Sequence, residues 1–160
     1  MNPGTHYSMA FDLNRMQTLC NEAAFKLNEY QKENKCDIVF IYSGMSGIAT
    51  ATALAHYLYS GYDIVAHMIY VRKENDNNHN DSIVEWSENS QRYNKAAIFF
   101  IDDLIESGNT FNRTRNYASR AQFIKAKKLT NKHIGTILIG FNLMFNIPQK
   151  HVILDNYNRG

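Results

Sequence analysis

Two aspartates in succession, Asp102 and Asp103, close the apolar run AIFFI and are followed by Ser107, Gly108, Asn109 and Thr110. Adjacent carboxylates suit the hydroxyls of a sugar, whose O–H groups they accept, or a bound cation. A short loop that enters a helix presents unpaired backbone N–H groups and a dipole field that favours an anion. The hydroxyls of Ser107 and Thr110 add donors, and Gly108 lets the backbone approach closely or take positive φ. Two acids beside a phosphate cradle would repel the phosphate, so they must face another part of the same ligand. A sugar phosphate satisfies both halves. A strand end followed by an ordinary helix cap would use the same residue types. Neither GxGxxG nor GxxxxGK[ST] occurs, which demotes dinucleotides and nucleoside triphosphates.

The elements that must position these residues follow from hydrophobic spacing. Leu13, Met16, Leu19, Cys20, Ala23, Ala24, Leu27 and Tyr30 recur every three or four positions and predict a surface helix over 13–33. The run Ile38 to Tyr42 predicts a strand, SGMSG a tight glycine-containing turn, and Ala49 to Leu58 a helix. Gly61 reads as the stop of that helix, and Asp63 to Lys73 as a second strand parallel to the first through a right-handed crossover. Glu74 to Lys95 is Asn-rich and polar apart from Ile83, Val84 and Trp86, and reads as a long functional or disordered loop. A strand over 97–101, a helix over 110–128, a strand over 133–141 and a short strand over 152–154 complete the chain. The class is α/β, with a mostly parallel, Rossmann-like sheet flanked by helices. In such sheets ligands bind at the carboxyl ends of the strands, where Asp102 stands.

At 160 residues the chain fits one domain, 1–160. Its composition, 44% hydrophobic and 20% charged, is that of an ordinary globular protein. With 17 basic and 15 acidic side chains the net charge is +2, so neither a nucleic acid nor a membrane is the expected partner. Cys20 and Cys36 form no zinc spacing or disulfide framework and read as free thiols. The start MNPGTHYSMAFDLNR lacks a basic stretch followed by an apolar segment, and no long apolar window occurs. The expected location is cytoplasmic.

The stretch FFIDDLIESGNT resembles the phosphoribosyl-pyrophosphate motif of the type I phosphoribosyltransferases: apolar residues, two acids, two apolar positions, then acid, Ser/Thr, Gly, any residue, Thr. SGMSG resembles the family's pyrophosphate loop, and VRKENDNNHNDSIVEW the start of its catalytic flexible loop, most like that of orotate-type members. The three stand in the family's order over about 37–141. The resemblance implies that fold with a reduced hood, drawn from 1–12 and 142–160, and a flexible loop over 74–95. It further implies that Asp102 and Asp103 bind the ribose hydroxyls, while Ser107, Gly108, Asn109 and Thr110 hold the 5′-phosphate. Met45, Ser46 and Gly47 would offer backbone N–H groups to the pyrophosphate, with Gly44 and Gly47 removing side-chain bulk. Arg72 and Lys73 would neutralise the leaving diphosphate. Glu106 stands where purine-using relatives carry a general base. Magnesium is implied by the diphosphate itself, with no dedicated protein cage beyond a contribution from Asp102 and Asp103.

The sequence also departs from that pattern. Asp76 occupies the place of the catalytic loop lysine, and the loop histidine, His79, stands one position late. No arginine follows the fourth strand, where GFNLMFN runs instead. His79 would still reach the site on loop closure, as lids do over reactive sugar phosphates, while Lys95 reads as a strand flank. Phe141, Phe145 and Tyr157 are candidates for stacking on a base. The implied activity is a magnesium-dependent phosphoribosyltransferase acting on phosphoribosyl pyrophosphate and a nucleobase, as a homodimer. The missing lysine motivates an alternative, a non-catalytic nucleotide-binding regulatory module of the same fold; a phosphoribosyl hydrolase is a third.

Overall fold

The computed structural model describes residues 13–73, 83–86, 96–102, 109–120, 134–138 and 152–154. In chain order the elements are α1 (Leu13–Asn34), β1 (Asp37–Tyr42), α2 (Gly44–Tyr62), β2 (His67–Val71), β3 (Val84–Trp86), β4 (Ala96–Asp102), α3 (Asn109–Arg120), β5 (Ile134–Leu138) and β6 (Val152–Leu154). The strands form one six-stranded sheet in the order β3-β2-β1-β4-β5-β6. β1 pairs in parallel with both β2 and β4, β4 with β5, and β5 with β6, while β3 runs antiparallel to β2. The expected α/β class and mostly parallel sheet are both present.

The strand sequences explain their places. DIVFIY and AAIFFID are unbroken apolar runs because β1 and β4 lie at the centre of the sheet, covered on both faces. Ile38, Phe40, Tyr42, Ala97, Phe99 and Ile101 pack with the apolar stripe of α1 and the inner side of α2 in one cluster. Tyr30 of α1 meets Phe99 edge-on at 5.3 Å. The alternate residues turn to the opposite face, where Phe111 of α3 meets Phe100 at 5.2 Å. Leu13 is an exception to the stripe: at the first position of α1, a turn before Met16 reaches the core, it is 81% exposed.

Three expectations are corrected. α2 begins at Gly44, so most of SGMSG is the first helical turn and not a separate loop. Ser and Gly are turn formers in isolation, but here Gly47 lies in the helix against the sheet: a Cβ on it would stand at ordinary contact distance, 3.4 Å from Tyr42 Cβ and 3.6 Å from the Ile101 carbonyl oxygen. Next, Gly61 does not stop the helix. The left-handed residue is Asp63 (φ 56°), and its N–H and that of Ile64 close onto the carbonyls of Tyr59 and Leu58. β2 accordingly begins at His67, not Asp63. Finally, the segment read as loop contains β3, with Ile69 opposite Trp86 and Val71 opposite Val84. A three-residue strand is too short to show a period, and its partner strand decides it.

α3 starts at Asn109, one residue before the expected position. Within the tail expected to build a hood, Val152–Leu154 is a sheet strand that also contacts α1. Residues 1–12, the rest of 142–160 and most of 74–95 lie outside the described residues.

Candidate functional site

The carboxyl ends of β1, β2 and β4 lie side by side, as their parallel registers require. From them issue Ser43, Arg72 and Asp102, and beside them begin α2 and α3. Asp102 alternates with Phe100 onto the α3 face and is buried at the strand tip. Asn109 and Thr110 are exposed in the first turn of α3.

The start of α2 lacks a side-chain cap from Ser43 and has a cation beside it. Ser43 occupies the N-cap position, yet its side chain makes no capping hydrogen bond. It is 3% exposed, and its Oγ has no partner. The N–H groups at the start of the helix therefore do not have the Ser43 side chain as an acceptor. Gly44 takes φ +76°, which an L side chain rarely adopts. The Lys73 side chain lies across it: Cε and Nζ stand 2.7 and 3.1 Å from where a Cβ on Gly44 would be. A cation at a helix N-terminus is the unfavourable arrangement of like charges. An anion bound between Lys73 and the helix start would reverse that sign, accepting from both.

Arg72 behaves differently from its neighbour. It is 9% exposed, and its Nη2 donates to Glu85 Oε1 of β3 at 2.6 Å. Its N–H donates to the Ile83 carbonyl at 2.8 Å, so the main chain and the side chain both bind it to the β3 segment. Nε and Nη1 are buried without partners. The carbonyl of Arg72 accepts from Nη2 of Arg113 in α3, and the Arg113 guanidinium lies over the Tyr117 ring at 5.1 Å from its centre.

The sequence-predicted residues are thus distributed as follows. The structure brings together Asp102, Lys73, Gly44 and the first turns of α2 and α3. Met45 is 63% exposed at that turn, the Ser46 backbone lies in it, and Gly47 is buried against Tyr42 and Ile101. Asp103, Glu106, Ser107, Gly108 and His79 lie outside the described residues. Sequence reasoning missed Ser43, Glu85 and Arg113. The signal for Arg113 was its position three residues after Thr110, which places both on one helix face. A groove of about 480 Å³ between α2 and β2 is lined by Tyr42, His56, Tyr59, Val65 and Met68. Burial and the nearby Tyr70 and Glu85 push the Tyr42 hydroxyl upward from its ordinary pKa. Among the described residues no group of three or more His, Cys, Asp or Glu could hold a metal, and no helix is long and apolar enough to cross a membrane.

The hypoxanthine phosphoribosyltransferase of Trypanosoma cruzi superposes on this chain with a TM-score of 0.55 at 14% identity, covering 91% of this chain and 79% of that one. The fold is that of the type I phosphoribosyltransferases. The HGPRT-ase of Leishmania tarentolae, solved with GMP, is similar at TM-score 0.54 and 12% identity over 87% of this chain and 75% of that one. An orotate phosphoribosyltransferase of Francisella tularensis is similar at 17% identity and TM-score 0.44, over 73% of this chain and 50% of that one, so this chain spans half that enzyme's length. No family model matches the sequence, and no curated protein matches it. In a type I phosphoribosyltransferase fold the described corner lies at the strand ends where ligands of open α/β sheets bind.

Proposed function

We propose that this chain is a phosphoribosyltransferase that joins a nitrogenous base to phosphoribosyl pyrophosphate with loss of pyrophosphate. The observation that carries the reading is Lys73 laid over positive-φ Gly44 at an uncapped helix start, beside the buried acid that ends β4. In the reaction a base nitrogen attacks C1 of the ribose, the C1–O bond breaks, and the diphosphate leaves with the bonding pair. Lys73 and the first-turn N–H groups of α2 stabilise the charge that develops on the leaving oxygens. Asp102 and Asp103 bind the ribose hydroxyls, while Ser107, Gly108, Asn109 and Thr110 hold the 5′-phosphate. Glu106 takes the proton that the base nitrogen gives up, and His79 belongs to the loop that excludes water.

Magnesium fits this donor set: the buried carboxylate of Asp102 suits a hard cation held chiefly by ligand oxygens. When bound it would neutralise part of the diphosphate charge. A homodimer is the proposed assembly, supported by the exposed Met45, Ile48 and Tyr59 along α2, and the cytoplasm the proposed location.

The test is pyrophosphate release from phosphoribosyl pyrophosphate with magnesium, across purine and pyrimidine bases and a no-base control. Release that depends on one base is expected, and Asp102→Asn with Asp103→Asn should weaken substrate binding at least about tenfold. Unchanged binding in that double variant would sink the reading. Asp76 in place of the loop lysine favours one second reading, a ligand-binding regulator of the same fold. It predicts binding without turnover, retained when 75–81 is deleted, which leaves Ile83 and β3 in place.

A further inference from the structure

Arg113 lies one turn into α3 and has no role in the site as built so far. Its guanidinium rests on the Tyr117 ring and donates to the Arg72 carbonyl. That peptide is the one that leads into Lys73. The amide of Arg72 is held from the other side by the Ile83 carbonyl at 2.8 Å. The direction in which Lys73 sets out toward Gly44 is therefore fixed by two hydrogen bonds, one from β2's neighbour segment and one from α3. Three residues before Arg113, on the same helix, Thr110 sits in the first turn that would seat a phosphate. Arginine suits such a joint, because its planar fork can donate to a carbonyl while its face stacks on a ring.

We propose that Arg113 is a positioning residue that couples the two anion corners of the site. Arg113 already holds the Arg72–Lys73 peptide in the free chain; an anion seated on the first turn of α3 steadies that turn and this contact with it, so that Lys73 is held toward the second anion over the α2 start. The inference rests on the site reading above, in which both corners bind parts of one ligand. Coupling of this kind is reciprocal: each anion must tighten the other by the same factor.

The experiment is calorimetric titration of the full chain with ribose 5-phosphate and with inorganic pyrophosphate, each alone and with the other saturating, in magnesium buffer. Wild type is expected to show mutual tightening of about fivefold or more. Arg113→Met should bind ribose 5-phosphate within about twofold of wild type, bind pyrophosphate about tenfold more weakly, and lose the mutual tightening. Arg113→Lys keeps a donor and should restore part of it. Full coupling in a folded Arg113→Met overturns the inference. Equal loss of both probes with a lowered melting temperature and no rescue by lysine also overturns it, since that is a purely structural role. Should Arg113→Met not fold, Tyr117→Ala removes the ring beneath the guanidinium, and unchanged coupling there counts against the proposal. Wild type that binds neither probe overturns the site reading and the inference together, whereas wild type that binds both without tightening overturns the inference alone.

Discussion

Arg72 and Lys73 are adjacent in the chain and identical in formal charge, yet their surroundings assign them different work. Arg72 is buried and tied to Glu85, whereas Lys73 is exposed and drawn across a helix start. Lys73→Met should therefore leave the melting temperature nearly unchanged and weaken pyrophosphate binding by about tenfold or more. Arg72→Met should destabilise the fold by about 1–3 kcal/mol in urea unfolding, because it removes the mostly buried guanidinium and its hydrogen bond to Glu85. A result with the two effects exchanged would contradict this assignment. Cys20 illustrates the opposite extreme. It is fully buried in the α1 stripe, and burial pushes its thiol up to about 12. Its thiolate fraction at pH 8 is then on the order of one in ten thousand. A thiol reagent should leave Cys20 unlabelled in the native protein and react with it once denaturant is added.

At the scale of elements, α2 carries a glycine near each end, and the two respond oppositely to the same substitution. Gly61 has nothing within 4 Å of a Cβ position and does not lie at positive φ. Gly61→Ala should raise stability by about 0.5–1 kcal/mol through helix propensity and a restricted unfolded chain. Gly44→Ala must strain a positive φ and displace Lys73, so it should cost about 1–3 kcal/mol and weaken pyrophosphate binding as well. Thermal melts of the pair would show shifts of opposite sign. The same helix shows what the sequence could and could not disclose. The apolar runs of β1 and β4 and the stripe of α1 were legible because burial repeats at fixed spacing. The boundaries of α2 were not: Gly47 looks like a turn residue until the sheet beneath it is known, and Asp63 takes the helix-ending conformation more often given to glycine. β3 was invisible for the same reason, since its pairing with β2 supplies what its three residues cannot. In the site, the acid pair and the serine-glycine corners announced themselves by residue type. Glu85 and Arg113 did not, because their importance comes from contacts with Arg72 across 13 and 41 residues.

For the molecule as a whole, one contribution to acid sensitivity lies far from the candidate site, at the opposite end of the sheet. His67 begins β2 and is buried, and desolvation lowers its pKa from 6.5 in spite of the nearby Asp37. Well above pH 6.5 the ring is neutral in both folded and unfolded chains and contributes nothing to pH dependence. As the pH falls below that value the unfolded chain takes up a proton that the folded one resists, so stability declines until the folded pKa is reached. Urea midpoints between pH 7.5 and 5 should show this fall in wild type and a shallower one in His67→Phe; equal slopes would remove His67 as the cause.

The sheet has one more property that matters outside the folded monomer. Its two outermost strands, β3 and β6, are each three residues long, while the long apolar strands β1 and β4 are interior. Open strand edges are templates for fibril growth, and the length of unpaired backbone sets how firmly another chain can be recruited. Here the long apolar strands are shielded by their own neighbours, and the described outer strands, three residues each, offer only a few hydrogen bonds. Colloidal safety in this chain therefore depends on keeping β2 and β5 in place, so that the strands most able to aggregate never become an edge.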